Sequence, residues 1–351
     1  MRDSRYRVVA SRLCANVDAA FIKCVSRVLF TSGPKNCLTD VSGVHVGHST
    51  LAEGEVQTGL TVILPYPLSQ RNRKLFIGSF AHGNWNEWTG LHVAQDFGTF
   101  SSPIVLCNAT TVGIAYDALI TFGHQRDPGL PIDNAWPPLV IGIDDGYLND
   151  QRQRRITHDE VLRTIREATN APALCGSVGI GRGLCAFGGK GGVGAASRVA
   201  NIANVNYTVG AMLAANGGQT LTSEINSASS LSSSFALIIA TDAPLLPETL
   251  RQLAEAGLRG LDKFGLAESG AQQLALAFST TNVIDNAFEE RFQLFSERWL
   301  AHEQLSPLFN AVAEAAREAL RKGLQSAEPV TGRKGRRLQP IAWQRLIKKY
   351  E

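Results

Sequence analysis

The stretch "LSSSFALIIATDAPLLP" (231–247) sets three serines directly against an apolar run. Serine-rich stretches commonly serve as flexible linkers. A linker, though, is normally flanked by other polar residues, and Ser234 abuts "FALIIA" with nothing between. A cut before Ser234 would open a new chain with a serine held at the end of a buried strand. Its hydroxyl and its free α-amino group would then be neighbours. An α-amino group titrates near ~7.7–8.0 and can take the proton of its own hydroxyl. Nucleophilic catalysis of that kind needs no histidine. Both readings, linker and site of self-cleavage, fit the residues at this point.

Other candidate chemistries lose their motifs. The glycine-rich stretch "CGSVGIGRGLCAFGGKGGVGAASR" (175–198) invites a phosphate-binding reading, because glycine lets backbone N–H groups approach an anion. A P-loop requires Ser or Thr after its lysine, and Lys190 is followed by Gly191. The context of a dinucleotide fingerprint, a strand before and an acid about twenty residues after, is missing. Close backbone packing or pocket lining fits better. His45 and His48 lie three apart on an expected strand and so face opposite ways. There is no His-Glu-x-x-His and no Gly-x-Ser-x-Gly. No metal or cofactor is expected.

The elements that must position Ser234 alternate between strand and helix. Strands are expected in 39–50 and 58–67, in 137–150 ending in a turn, in 206–216 ending at Asn216, in "FALIIAT" and in 274–282, while 73–91 reads as strand, loop and helix and 102–123 as strand, polar junction and helix. Thr157 with Glu160 reads as a capping box opening a helix to about Thr169. Pro247 opens an amphipathic helix to about Phe264, and 306–328 is read as the last helix. Many strands are apolar on both faces, which argues for sheets covered by helices.

Bulk properties narrow the class. The chain has 351 residues, 44% hydrophobic and 19% charged, with a net charge of +3. That is ordinary globular composition and too little charge to call for nucleic acid. The six cysteines form no Cys-x-x-Cys pair, which suits a reducing, cytoplasmic setting. No run of eighteen apolar residues calls for a membrane span. The basic stretch Arg333 to Lys349 reads as solvated surface, and residues 1–26 as an extension.

Several stretches, in order, resemble the self-processing serine aminopeptidases, the family of L-aminopeptidase/D-amidase/D-esterase and the β-peptidyl aminopeptidases. They are "GPKNCLTDVSGVHVGHSTL" (33–51), "WTGLHVAQDFGTFSSPIVLCNATTVG" (88–113), "DGYLND" (145–150), "FGGKGGVGAASR" (187–198), "VGAMLAAN" (209–216), "ATDAPLLP" (240–247) and "AFSTTN" (277–282). The resemblance covers about residue 27 to the end. It implies an α/β fold: a four-layer αββα sandwich, with two packed β-sheets flanked by helices, as a single domain over 27–351. It further implies a precursor that cuts itself between Ser233 and Ser234 into chains 1–233 and 234–351, and a homo-oligomer. The implied partners are small peptides, amides or esters with a free amino group.

On that resemblance Ser234 is the nucleophile and Asn216 the oxyanion donor. Asp144 and Tyr147, in and beside "DGYLND", are candidates for substrate contact. The family's Ser-Gly-acid trio, which orients the nucleophile, falls on Ser269 and Gly270, with Ala271 where the acid should be; Glu268 is the neighbouring carboxylate. An ungapped count gives Ala271 and Gln273. Other positions depart from the family pattern. Ser233 replaces a glycine, and Gly142 and Asp144 replace the glutamate and tyrosine that hold the substrate's amino group and the oxyanion. Three functions follow: an active aminopeptidase or amidase, an acyltransferase or cyclase using the same acyl-enzyme, or an uncleaved non-catalytic relative.

Overall fold

The strand Ser234–Thr241 carries the candidate nucleophile, and its sequence "SFALIIAT" explains why the fold has more than two layers: all eight residues are buried. A strand apolar on both faces must be covered on both. In the computed structural model, which describes residues 30–70, 73–83, 87–128, 136–221, 234–265, 272–285 and 297–350, it is. The first half of the chain supplies β1 (His45–Glu53), β2 (Val56–Leu64), β3 (Arg73–His82), β4 (Trp88–Thr89), helix α1 (Leu91–Phe97), β5 (Thr99–Phe100), β6 (Ile104–Asn108), α2 (Val112–Arg126), β7 (Leu139–Ile143) and α3 (His158–Glu167). The second half adds β8 (Cys185–Ala186), β9 (Gly189–Lys190), β10 (Gly192–Ile202), β11 (Val205–Asn216), β12 (Ser234–Thr241), α4 (Pro247–Arg259), β13 (Gln272–Asp285), α5 (Ser306–Gln325), β14 (Val330–Thr331), β15 (Arg337–Leu338) and α6 (Trp343–Tyr350).

Two large sheets result, one ordered β1-β2-β6-β7-β4 and the other β10-β11-β12-β13-β3-β5. Between them lies an apolar layer that includes Ile104, Ile141, Met212, Ala236 and Ile238. Phe235, Leu237 and Ile239 point the other way, against Leu253 of α4 and Val312 and Ala316 of α5. Val105 and Val140 pack outward on Leu119 of α2 and Leu162 of α3. The order is helix, sheet, sheet, helix, as expected. The period of two along each strand sorts its residues between the layers.

Three local expectations need correction. Residues 192–202 are a strand, not part of the glycine-rich loop. Their glycines serve packing: a Cβ on Gly194 would lie 1.9 Å from the Ala319 carbonyl oxygen of α5. Helix α5 ends at Gln325, and α6 is the last helix. Trp343 of α6 packs on Phe264 at a centroid distance of 5.4 Å, and Leu346 is fully buried. The basic C-terminal stretch is therefore only partly solvated. Finally, Thr157 accepts from the Glu160 N–H at 3.2 Å as a capping residue should. The Glu160 carboxylate, however, accepts from Ser49 of β1 and from Arg163, so it ties the helix to the sheet.

On β1, His48 meets Thr61 Oγ1 at 3.0 Å through Nδ1, while its buried Nε2 has no hydrogen-bond partner among the described residues. Burial pushes its pKa down to about 4 from 6.5. The unfolded chain then binds this proton more readily than the folded one between those values. Stability should fall as pH drops from about 6.5 to about 4. Urea midpoints across that range check it, and His48→Leu should flatten the decline.

Candidate active site

Ser234 is the first residue of β12, and 3% of it is exposed. Ala236, Ile238 and Ala240 face the layer between the sheets, so strand alternation turns Ser234 to that side as well. On β11, Met212 and Ala214 face the same layer, and so does Asn216. The antiparallel register pairs Asn216 directly with Ser234. On its other side Ser234 pairs with Gln272, where β13 opens.

The Asn216 side chain is held at both ends. Its Oδ1 accepts from the Cys185 N–H at 3.0 Å. Its Nδ2 lies 2.9 Å from the Asp144 carbonyl oxygen and 3.4 Å from Ser234 Oγ. The acceptor end is thus committed to the glycine-rich loop, and the donor end faces the hydroxyl. A buried donor fixed beside a nucleophile is what an acyl-transfer transition state requires for its developing oxyanion. The loop is fixed in turn: Gly217 N donates to Cys185 O at 2.6 Å and Phe187 N to Gly217 O at 2.7 Å. Phe187 also packs on Phe235, the residue after Ser234, at 6.0 Å.

Asp144 meets the site through its backbone. Its carboxylate is exposed and accepts from Gly146 N and Gln151 Nε2, both at 2.9 Å. The carboxylate is thus engaged within its own turn, while the carbonyl orients Asn216. Beneath it, Asp145 is buried, and burial pushes its pKa up to about 6 against hydrogen bonds from Thr58, Gln151 and Asn149. Asn108 extends this cluster by donating to Thr58 Oγ1 at 3.2 Å. Tyr147 is tied to the C-terminal hairpin: the Arg336 guanidinium lies 4.5 Å over its ring and donates to its carbonyl at 3.0 Å. Arg333 donates to the Gly146 carbonyl at 3.1 Å.

The structure therefore brings Ser234, Asn216 and the Asp144 backbone together and sets Tyr147 against the hairpin. Ser233, Glu268 and Ser269 lie outside the described residues. Gly142 has no room for a longer side chain: a Cβ there would lie 2.7 Å from Val112 Cγ2 and 2.8 Å from Glu87 Cβ. Among the described residues, no group of three or more His, Cys, Asp or Glu could hold a metal, and no helix is long and apolar enough to cross a membrane. Sequence reasoning missed the Cys185 N–H and the arginine clamp. Backbone donors leave no residue-type signal. The arginines could have been found only as basic residues set among "VTGRKGRRL" turn signals.

Residues 36–338 match the sequence profile of peptidase family S58. The chain belongs to that family. It is 31% identical to the β-peptidyl aminopeptidase BapA of Sphingosinicella microcystinivorans, over 91% of this chain and 89% of that one. Among solved structures it resembles the L-aminopeptidase D-Ala-esterase/amidase of Ochrobactrum anthropi, a prototype serine aminopeptidase and a variant of the Ntn-hydrolase fold. That match has a TM-score of 0.81, 26% identity, and covers 92% of this chain and 96% of that one. A β-aminopeptidase of Burkholderia sp. matches with a TM-score of 0.80 and 32% identity, over 91% of this chain and 94% of that one. The S58 chain is accordingly a hydrolase of the N-terminal-nucleophile, aminopeptidase and amidase kind, and the family and fold class implied by the sequence resemblance hold.

If Asn216 supplies the oxyanion donor, Asn216→Ala should lower kcat by about 10²–10³ with little change in KM. Steady-state hydrolysis of an aminoacyl amide, normalised to folded protein, checks this.

Proposed function

We propose that this S58 chain cuts itself between Ser233 and Ser234 and then acts as an aminopeptidase or amidase through an acyl-enzyme on Ser234. The observation that carries the reading is the placement of Ser234: first residue of a fully buried strand, with the Asn216 amide 3.4 Å from its hydroxyl. In the first step Oγ attacks the Ser233 carbonyl carbon. The C–N bond breaks, the nitrogen takes the hydroxyl proton, and water hydrolyses the resulting ester. Ser234 is left with a free amine and a free hydroxyl.

In each later turnover that amine takes the Oγ proton as the oxygen attacks the substrate carbonyl. Asn216 Nδ2 donates to the oxyanion. The leaving amine departs protonated, and water then releases the acid. Glu268 and Ser269 are proposed as orienting partners on sequence order, because they precede β13, whose first residue pairs with Ser234. The exposed Asp144 carboxylate is proposed to attract the substrate's ammonium group. Glu87, whose Cβ lies beside Gly142, is proposed as a second carboxylate for that role. Tyr147 is proposed to act through the loop it anchors. The names of the relatives support substrates with a free amino terminus, β-amino acid residues among them, and a homo-oligomer is proposed on the family resemblance alone.

The absence of a side chain at Gly142 favours one second reading, transfer of the acyl group to an added amine rather than to water. Denaturing mass spectrometry tests the common first step. Two fragments meeting at Ser233/Ser234 are expected, with Ser234→Ala giving one intact chain. A wild-type chain that stays whole on long incubation would overturn the proposal. Assays with aminoacyl amides, with and without an amine acceptor, then divide hydrolysis from transfer.

A further inference from the structure

Lys190 sits in "FGGKGG" with none of its surface exposed. Among the described residues its ammonium is met by backbone carbonyls and by no carboxylate: Gly181 at 2.7 Å, Leu184 at 2.8 Å and Gly191 at 2.7 Å. Burying a cation costs free energy even when it is well hydrogen-bonded. A methionine would fill the same space without that cost, so packing does not explain the lysine. Burial pushes its pKa down to about 7. Three carbonyl partners favour the ammonium, which has three donors, over the free amine, which has two.

The Leu184 carbonyl and the Cys185 N–H belong to one planar peptide. Lys190 pins the oxygen side of that peptide, with help from Gly191 N at 2.9 Å. The nitrogen side then points to Asn216 Oδ1 at 3.0 Å. Together with the Asp144 carbonyl on Nδ2, this contact decides which way the Asn216 amide is turned. With Oδ1 on Cys185, Nδ2 faces Ser234. A flipped amide would present an oxygen to a forming oxyanion and repel it. We propose that Lys190 is a positioning residue for the reaction: by fixing the 184–185 peptide it holds the Asn216 amide with its donor toward Ser234. The proposal rests on the oxyanion role of Asn216 argued above. It gives the lysine of the glycine-rich loop a task other than phosphate binding.

A double-mutant cycle on the full chain tests it, with kcat counted per cleaved molecule by mass spectrometry. Lys190→Met should lower kcat about tenfold or more, short of the loss in Asn216→Ala, while KM stays within about twofold. Lys190→Gln, which keeps two N–H donors, should lie between Met and wild type. In the Asn216→Ala background, Lys190→Met should change kcat by less than about twofold, because its effect passes through the missing amide. An equal loss in both backgrounds would assign Lys190 to general stability and overturn the proposal. So would insolubility of both lysine variants. Full turnover in Asn216→Ala alone would instead overturn the reading of the site, whatever Lys190 does.

Discussion

The antiparallel register of β11 against β12 sets Asn216 opposite Ser234, on the face turned to the layer between the sheets. Side chains alternate along a strand, so a slip of one residue would send the pair to opposite faces. Burial on both faces guards against that slip. The same slip would carry Phe235, Leu237 and Ile239 away from α4 and α5 and into the space filled by Ala236 and Ile238. The core thus enforces the alignment that the proposed chemistry needs, and the candidate nucleophile inherits its position from the apolar residues around it.

Around that pair the protein builds a polar shell largely from backbone. Cys185 N, the Asp144 carbonyl and the Gly217 N–H orient or support Asn216. The segments that supply them are held by charges aimed at carbonyls: Lys190 beneath the glycine-rich loop, and Arg333 and Arg336 on the turn after β7. Backbone groups have fixed directions once their loop is fixed, so they present a rigid environment to developing charge. Buried Asp145, bridged to Asp144 by Gln151, braces the turn from below.

Much of the architecture was legible in the sequence. Buried strands such as "LVIGI" and "FALIIA" announce themselves by unbroken apolar character, and a helix such as 247–259 by its period and its opening proline. The serine cluster by itself left linker and cleavage site both open, and Ser234 stood out as the candidate nucleophile only through the order of the family motifs around it. Glycine misled at 192–202: the residue type that marks loops also permits the close approach of α5 to β10 seen at Gly194. The basic C-terminal stretch misled because charge reads as solvent exposure. Arg333 and Arg336 instead spend their donors on carbonyls of a distant turn, and no local pattern encodes that. Residues that act through backbone partners across 31 or more positions, as Cys185 does on Asn216, become visible only once the chain is folded.

The central claim is that Ser234 becomes a chain's first residue and carries the acyl group. Brief exposure to an aminoacyl ester, quenched and analysed by denaturing mass spectrometry, addresses it directly. The account predicts a mass increase of one acyl group on the fragment that begins at Ser234, and none on the fragment that precedes it. Consumption of the ester with the Ser234 fragment unmodified and the acyl group on the other fragment would contradict it.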